Sequence, residues 1–168
     1  MFNLETYTVS FFGHRDIYCN IRLIEDAVEE IARQLINSKP YVEFLMGRDG
    51  EFDILTTSVI KRTQKAVGHD NNALVWVLPY PTADFQNNAD NYEEYYDEIE
   101  ICEESAAAHF KSAFQIRNRS IIDRSDLCVF YVERNSGGAY QTMQYAIKQG
   151  KKVINLAEQV DKWHEAAQ

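Results

Sequence analysis

Between Arg117 and Leu156 the chain reads RNRSIIDRSDLCVFYVERNSGGAYQTMQYAIKQGKKVINL, and this stretch restricts the possible folds more than any other. Leu127, Val129, Phe130 and Val132 form an apolar run too short for a helix of its own, which is the mark of a buried strand. Gly137-Gly138 then opens a helix whose apolar side is Ala139, Met143, Ala146 and Ile147. Gly150 stops that helix, and Val153, Ile154 and Leu156 start another strand. A strand, a glycine turn and a helix N-terminus make a site for an anion, because free backbone N–H groups and the helix dipole converge there. Gly137, Gly138, Ala139 and Tyr140 would frame it; the same letters also fit a simple tight turn.

The rest of the chain repeats the pattern. Strands are expected at 7–12, 42–46, 73–78, 127–132 and 152–156, separated by helical periods. The run at 73–78 is apolar throughout, as a central parallel strand covered on both faces requires. The first helix follows Asn20 with Ile24, Ala27/Val28, Ile31 and Leu35 on one face. The second presents Leu55, Val59 and Ala66 inward, and a third runs from Ser105 to Asp123. Five strands and four helical segments predict an α/β fold: a Rossmann-like, doubly wound, mostly parallel sheet of order 3-2-1-4-5 with helices on both faces. Residues 1–156 form one domain on this reading, with an acidic aromatic loop at about 80–104 and a polar loose helix or tail at 157–168.

Gly13, Gly47, Pro79 and Gly137 all fall at carboxyl ends of strands, where open α/β sheets bind ligands at a switch point. The crevice is expected between the first and fourth strands. Gly13-His14-Arg15-Asp16 is no dinucleotide fingerprint; it is either a capped turn with a solvated Arg15 or a turn facing phosphate. The second turn carries Gly47, Arg48 and Gly50, followed by Glu51 and Asp53. Carboxylates in a first helical turn favour the helix by themselves; held near a phosphate, they accept from ribose hydroxyls. Pro79-Tyr80 ends the third strand. From Asp84 to Glu104 come nine acidic residues and no Lys or Arg, with Phe85, Tyr92, Tyr95 and Tyr96 among them. Such a segment is either a lid or partner surface, or a solvated excursion with a short helix near 91–98.

Five segments together resemble the SLOG superfamily, the Rossmann-like group that includes the DprA/Smf proteins and the LOG-type cytokinin-activating enzymes. They are SFFGHRD at 10–16, VEFLMGRDGEFD at 42–53, VWVLPYP at 75–81, RNRSIIDRSDLCVFYV at 117–132 and GGAYQTMQYAIKQGKKVINL at 137–156. Within that group the motifs resemble those of the single-domain YpsA-like branch. The resemblance implies that the Gly13-His14-Arg15 turn faces the ligand and that Arg117, Asn118 and Arg119 bind its phosphate. LOG-type enzymes cleave the N-glycosidic bond of a nucleoside monophosphate, with an Arg before the fourth strand and a Glu soon after a P-G-G-x-G-T turn. Arg117 matches that Arg. Ser136-Gly137-Gly138-Ala139-Tyr140-Gln141-Thr142 lacks the proline and third glycine, and Met143-Gln144-Tyr145 holds no acid.

Glycosidic cleavage needs a carboxylate, and only Glu51, Asp53 or Asp123 stand in reserve. The leading expectation is therefore binding without turnover: a sensor or sequestering module for a nucleotide-derived small molecule, such as an ADP-ribose-type or cyclic-nucleotide second messenger. An N-ribosyl hydrolase with Glu51 or Asp53 as its acid is the enzyme alternative. A protein-interaction module using the acidic loop is the third. No cofactor is implied, and His14, His69, His109 and His164 lack metal-ligand spacing. The net charge of −9 argues against nucleic acid and anionic membrane as partners. The resemblance, and an aromatic content of 12%, imply a homodimer or larger assembly. A start without a basic segment or cleavage site, and three scattered cysteines (Cys19, Cys102, Cys128), suit the cytoplasm.

Overall fold

The computed structural model describes residues 5–167. Six parallel strands form one sheet: β1 (Thr6–Gly13), β2 (Tyr41–Met46), β3 (Asn72–Leu78), β4 (Glu98–Ile101), β5 (Leu127–Tyr131) and β6 (Lys152–Asn155). Their spatial order is β4-β3-β2-β1-β5-β6. The five expected strands are present within a residue or two of their expected bounds and in the expected order. The sixth, β4, comes from the acidic segment and pairs its Glu98–Ile101 with Val75–Leu78 at the sheet edge.

Helices α1 (Ile21–Ser38) and α2 (Glu51–Val67) connect β1 to β2 and β2 to β3. The short α3 (Ala83–Asn87) and α4 (Ala89–Tyr95) lead into β4, and α5 (Glu103–Ala106) and α6 (Phe110–Arg124) return the chain to β5. Then α7 (Gly138–Lys148) joins β5 to β6, and α8 (Leu156–Ala166) closes the described chain. Side chains alternate across each strand, so the inner strands β1, β2, β3 and β5 feed two cores. Val9, Phe11, Phe44, Met46, Leu74 and Val129 pack with α1, α2 and α8 on one face. Phe12, Leu45, Val75, Val77, Cys128 and Phe130 pack with α6 and α7 on the other. That division follows from right-handed crossovers running outward from β1 in opposite directions.

Several local expectations change. The expected helix at 105–123 is broken at 107–109, and only α6 continues to the Arg-Asn-Arg. In α2 the inward face is Phe52, Thr56, Val59, Ile60 and Thr63, whereas Ala66 is exposed. In α7 it is Thr142 and Ala146, with Ile147 exposed. The segment expected as a loose helix or tail forms the helix α8, which buries Leu156, Ala157 and Val160. Asn155 fixes that corner: its side chain accepts from Val132 N–H at 3.0 Å, donates to Val132 O at 2.9 Å, and caps α8 at Ala157 N–H.

The acidic segment packs on the body of the sheet. Trp76 on β3 meets Phe85, Tyr92 and Tyr96 at ring distances of 5.8, 4.9 and 5.2 Å, so the aromatic residues hold α3 and α4 to the β3 edge. Asp97 accepts from Leu74 N–H at 2.7 Å and from Gln64 at 2.8 Å. Arg124 bridges Glu100 on β4 and Glu43 on β2, tying the edge strand to the sheet. Among the described residues no helix is long and apolar enough to cross a membrane.

Candidate functional site

Where β1 and β5 lie side by side, the chain departs toward β2 on one side and β6 on the other. Loops diverge above such a pair, and a cleft of about 540 Å³ opens there. Its wall carries Gly13, His14 and Arg15 from the first turn, and Gly47, Gly50 and Asp53 from the second. Arg117 and Asn118 enter from α6, and Gly137, Gly138 and Ala139 from the start of α7. Close packing explains two of the glycines. A Cβ on Gly13 would stand 2.3 Å from Phe52 Cγ, and one on Gly50 would stand 2.5 Å from Arg15 Cα. Gly137 instead has φ of +94°, a conformation that L side chains resist.

The two helix starts at the cleft differ. At α2, Glu51 N–H donates to Arg15 O at 2.8 Å and Asp49 N–H donates to Asp53 Oδ2 at 2.9 Å, so that end is largely satisfied internally. At α7 the capping glycine offers no side chain to the first N–H groups, which stay open to the cleft. Arg15 and Arg134 are exposed on the cleft wall, and neither forms an ion pair among the described residues. An anion therefore meets one free helix terminus and two uncommitted guanidinium groups.

Arg117 is not in that state. It is 1% exposed, pairs with Asp49, donates from Nη1 to Val77 O at 3.1 Å and from Nε to Asn118 Oδ1 at 3.1 Å. Asn118 in turn donates to Thr142 Oγ1 at 3.2 Å. This network clamps α6, α7 and the second turn together beneath the cleft. Asp123 and Asp126, the acids beside Arg117 in sequence, bond elsewhere: to Tyr145 hydroxyl and to Thr8 N–H.

His14 is 6% exposed and accepts Glu133 N–H on Nε2 at 2.9 Å. A ring nitrogen that accepts cannot carry a proton, so the neutral ring holds its hydrogen on Nδ1. Burial, and then Arg134, push the imidazole pKa below its ordinary value. Asp53 is 8% exposed, and burial followed by the like charge of Asp49 raises its carboxyl to about 7. A carboxyl that titrates near neutrality in a cleft is able to exchange a proton with whatever binds there.

Six expected ligand residues lie outside the cleft. Arg48 donates to Tyr96 hydroxyl at 3.1 Å and stacks over Tyr92, inside the aromatic group at the β3 edge. Glu51 accepts Ile17 N–H at 2.7 Å and fixes the first loop. Pro79 is buried and accepts from Ser105, while Tyr80 packs edge-on against Phe114. Arg119 lies over the Tyr145 ring at 5.2 Å, and Tyr140 lines a separate depression on the far side of the β5–α7 loop. Conversely, Asp16, Asp49, Phe114, Gln115, Arg134 and Ser136 line the cleft without having been singled out. Asp49 stands between Arg48 and Gly50, so the expected turn reaches the cleft through Asp49 rather than through Arg48. Arg134 carried no signal beyond its place just after the fourth expected strand.

At the level of sequence, no protein-family model and no curated protein matches the chain. Solved structures do match its fold. DNA processing protein A from Helicobacter pylori, described for its single-stranded DNA binding mode, superposes with a TM-score of 0.60 at 17% identity. The match covers 88% of this chain and 63% of that one. DNA processing protein A from Streptococcus pneumoniae gives 0.63 at 16% identity over 88% of this chain and 49% of that one. The structural-genomics target TM1055 gives 0.58 at 16% identity over 93% and 81%. The chain thus spans less than two thirds of either DNA processing protein, and it shares their fold over that part.

These neighbours correct one expectation. Nucleic acid was excluded on net charge, yet the same fold includes a protein that binds single-stranded DNA. The physical error lay in averaging charge over the whole chain. The nine acids sit on α3, α4, β4 and α5 and, for Asp97, just before β4, along the β4 edge of the sheet, whereas the cleft lies above β1 and β5 and presents Arg15 and Arg134.

Proposed function

We propose that the cleft above β1 and β5 binds the phosphate of a nucleotide-derived ligand. The observation that carries this reading is the junction of the open N-terminus of α7 with two unpaired arginines, Arg15 and Arg134, over one cleft. The backbone N–H groups of Gly138 and Ala139 supply the anion contacts, the guanidinium groups supply charge, and neutral His14 donates from Nδ1. On this reading the chain is a cytoplasmic sensor or sequestering module for a nucleotide-derived small molecule, of ADP-ribose or cyclic-nucleotide type. The same reading puts its motifs with those of the YpsA-like branch of the group it resembles.

A second reading, hydrolysis of a nucleotide N-ribosyl bond, gains support from Asp53. No acid follows the Gly137-Gly138 turn, but a carboxyl with a pKa of about 7 stands on the opposite wall of the cleft. Its twin candidate Glu51 is committed to Ile17 N–H and lines no part of the cleft.

One experiment separates the two. The protein is melted with adenosine monophosphate, ADP-ribose, a cyclic dinucleotide and a short single-stranded oligonucleotide, and each incubated ligand is then chromatographed. A ligand at a hundred times its dissociation constant stabilises by about 2.7 kcal/mol, a shift of several degrees. The binding reading expects a shift and intact ligand; free base together with ribose 5-phosphate, abolished by Asp53→Asn, establishes the hydrolase instead. No shift with any member of the panel rejects both.

A further inference from the structure

Asp53 combines near-complete burial with one atom left over. Its Oδ2 accepts Asp49 N–H at 2.9 Å. Its Oδ1 meets no partner among the described residues, yet it is absent from the polar atoms sealed without one, so it reaches the cleft that Asp53 lines. The charged groups facing it come from three directions: Asp49 beside it on the β2–α2 loop, Arg117 from α6, and Arg15 from the first turn. Asp16 and His14 lie on the same wall as Arg15, and Arg134 stands on the β5–α7 loop.

Arg117 and Arg15 favour the ionised form from a distance, but neither bonds Oδ1, and the Arg117 fork is taken by Asp49, Val77 O and Asn118. An ionised Asp53 would thus set a free carboxylate oxygen against any anion in the cleft, in partly desolvated surroundings where repulsion is strong. A protonated Asp53 has the opposite effect, since its only O–H then points where an acceptor sits.

We propose that the cleft takes its anion together with one proton, carried on Asp53 Oδ1, which donates a hydrogen bond to the bound anion. This rests on the anion-binding reading above and specifies its ligand class: a fully ionised, acceptor-rich group such as a phosphodiester or diphosphate. Burial and Asp49 bring the carboxyl to about 7, so the proton is available without acidifying the medium. Linkage fixes the sign. Binding takes up a proton, so affinity falls as pH rises through the Asp53 pKa, and the bound anion raises that pKa in return.

Inorganic sulfate is the probe, because its own charge does not change near neutrality. Calorimetry on the intact protein at about pH 6 and about pH 8.5 should show affinity falling by up to ~30-fold, the change in the protonated fraction of a group titrating at about 7. Asp53→Asn, neutral at both pH values and able to donate, should bind equally at both and more tightly than wild type at the higher pH. Carbon-13 NMR of the Asp53 carboxyl should place its midpoint near neutrality and show sulfate moving it up. Equal wild-type affinity at both pH values, or a pH dependence that survives Asp53→Asn, overturns the proposal while leaving the anion site standing. Absence of sulfate binding by either protein at either pH overturns the anion-site reading and this inference with it.

Discussion

Replacing Arg117 with Ala should damage the fold before it damages binding. The side chain is 1% exposed, and its loss strips three partners at once: the Asp49 carboxylate, the Val77 carbonyl and the Asn118 amide oxygen. Breaking a buried ion pair from one side costs about 3–5 kcal/mol, and a buried acceptor left empty costs about 1–3 kcal/mol. Asp49 keeps 30% of its side chain exposed and can recover water, which brings the expected cost toward the lower end, about 3 kcal/mol. For a chain of this size that is a fall in Tm of roughly 6–12 °C. Differential scanning calorimetry of ligand-free protein reads it directly. Arg117→Lys should fall between the two, since an ammonium keeps the charge but cannot hold three partners in a plane. An Arg117→Ala protein that melts within about 2 °C of wild type would refute the clamp and return Arg117 to the role of a ligand contact that its motif implies.

Arg15→Ala should do the reverse, leaving Tm within about 0.5 kcal/mol equivalents while weakening anion binding by about tenfold, measured by calorimetry. Gly13→Ala should destabilise by about 1–3 kcal/mol in urea unfolding, because its Cβ lands on the Phe52 ring and either β1 or α2 has to move. Wild-type stability should fall as pH rises from the ordinary carboxylate range to about 7, since folded Asp53 retains a proton that the unfolded chain has released. Asp53→Asn should therefore raise Tm at about pH 8.5 and match wild type near pH 4, as thermal melts across that range will show.

The five expected strands were legible because each is a β-branched or aromatic run, a composition that burial on both faces demands of β1, β2, β3 and β5. Strand β4 was not legible. Its Glu98-Ile99-Glu100-Ile101 alternates as an edge strand should, but it is four residues long inside a segment dominated by acids. What makes it a strand is tertiary: Trp76 gathering Tyr92 and Tyr96, and Arg124 joining Glu100 to Glu43. The inner face of α2 was misread for a related reason. Thr56 and Thr63 are buried there, and hydrophobic periodicity gives polar residues no weight. In the candidate site the glycines could be placed from sequence, since a turn at a strand end needs them. The direction of their neighbours could not. Arg48 and Asp49 are adjacent, yet one turns to the aromatic edge and the other to Arg117. Whether an arginine binds a ligand or holds a fold depends on which partners reach it first, and two of the three that hold Arg117 lie 40 and 68 residues away.

The central claim, that the nucleotide phosphate sits over the start of α7 between the first two turns, is tested most directly by backbone amide NMR during titration with adenosine monophosphate and ADP-ribose. The account predicts the largest shifts at residues 13–16, 47–50 and 136–139, with the acidic edge at 84–104 unmoved. Shifts confined to that edge, or none at saturating nucleotide, would contradict it.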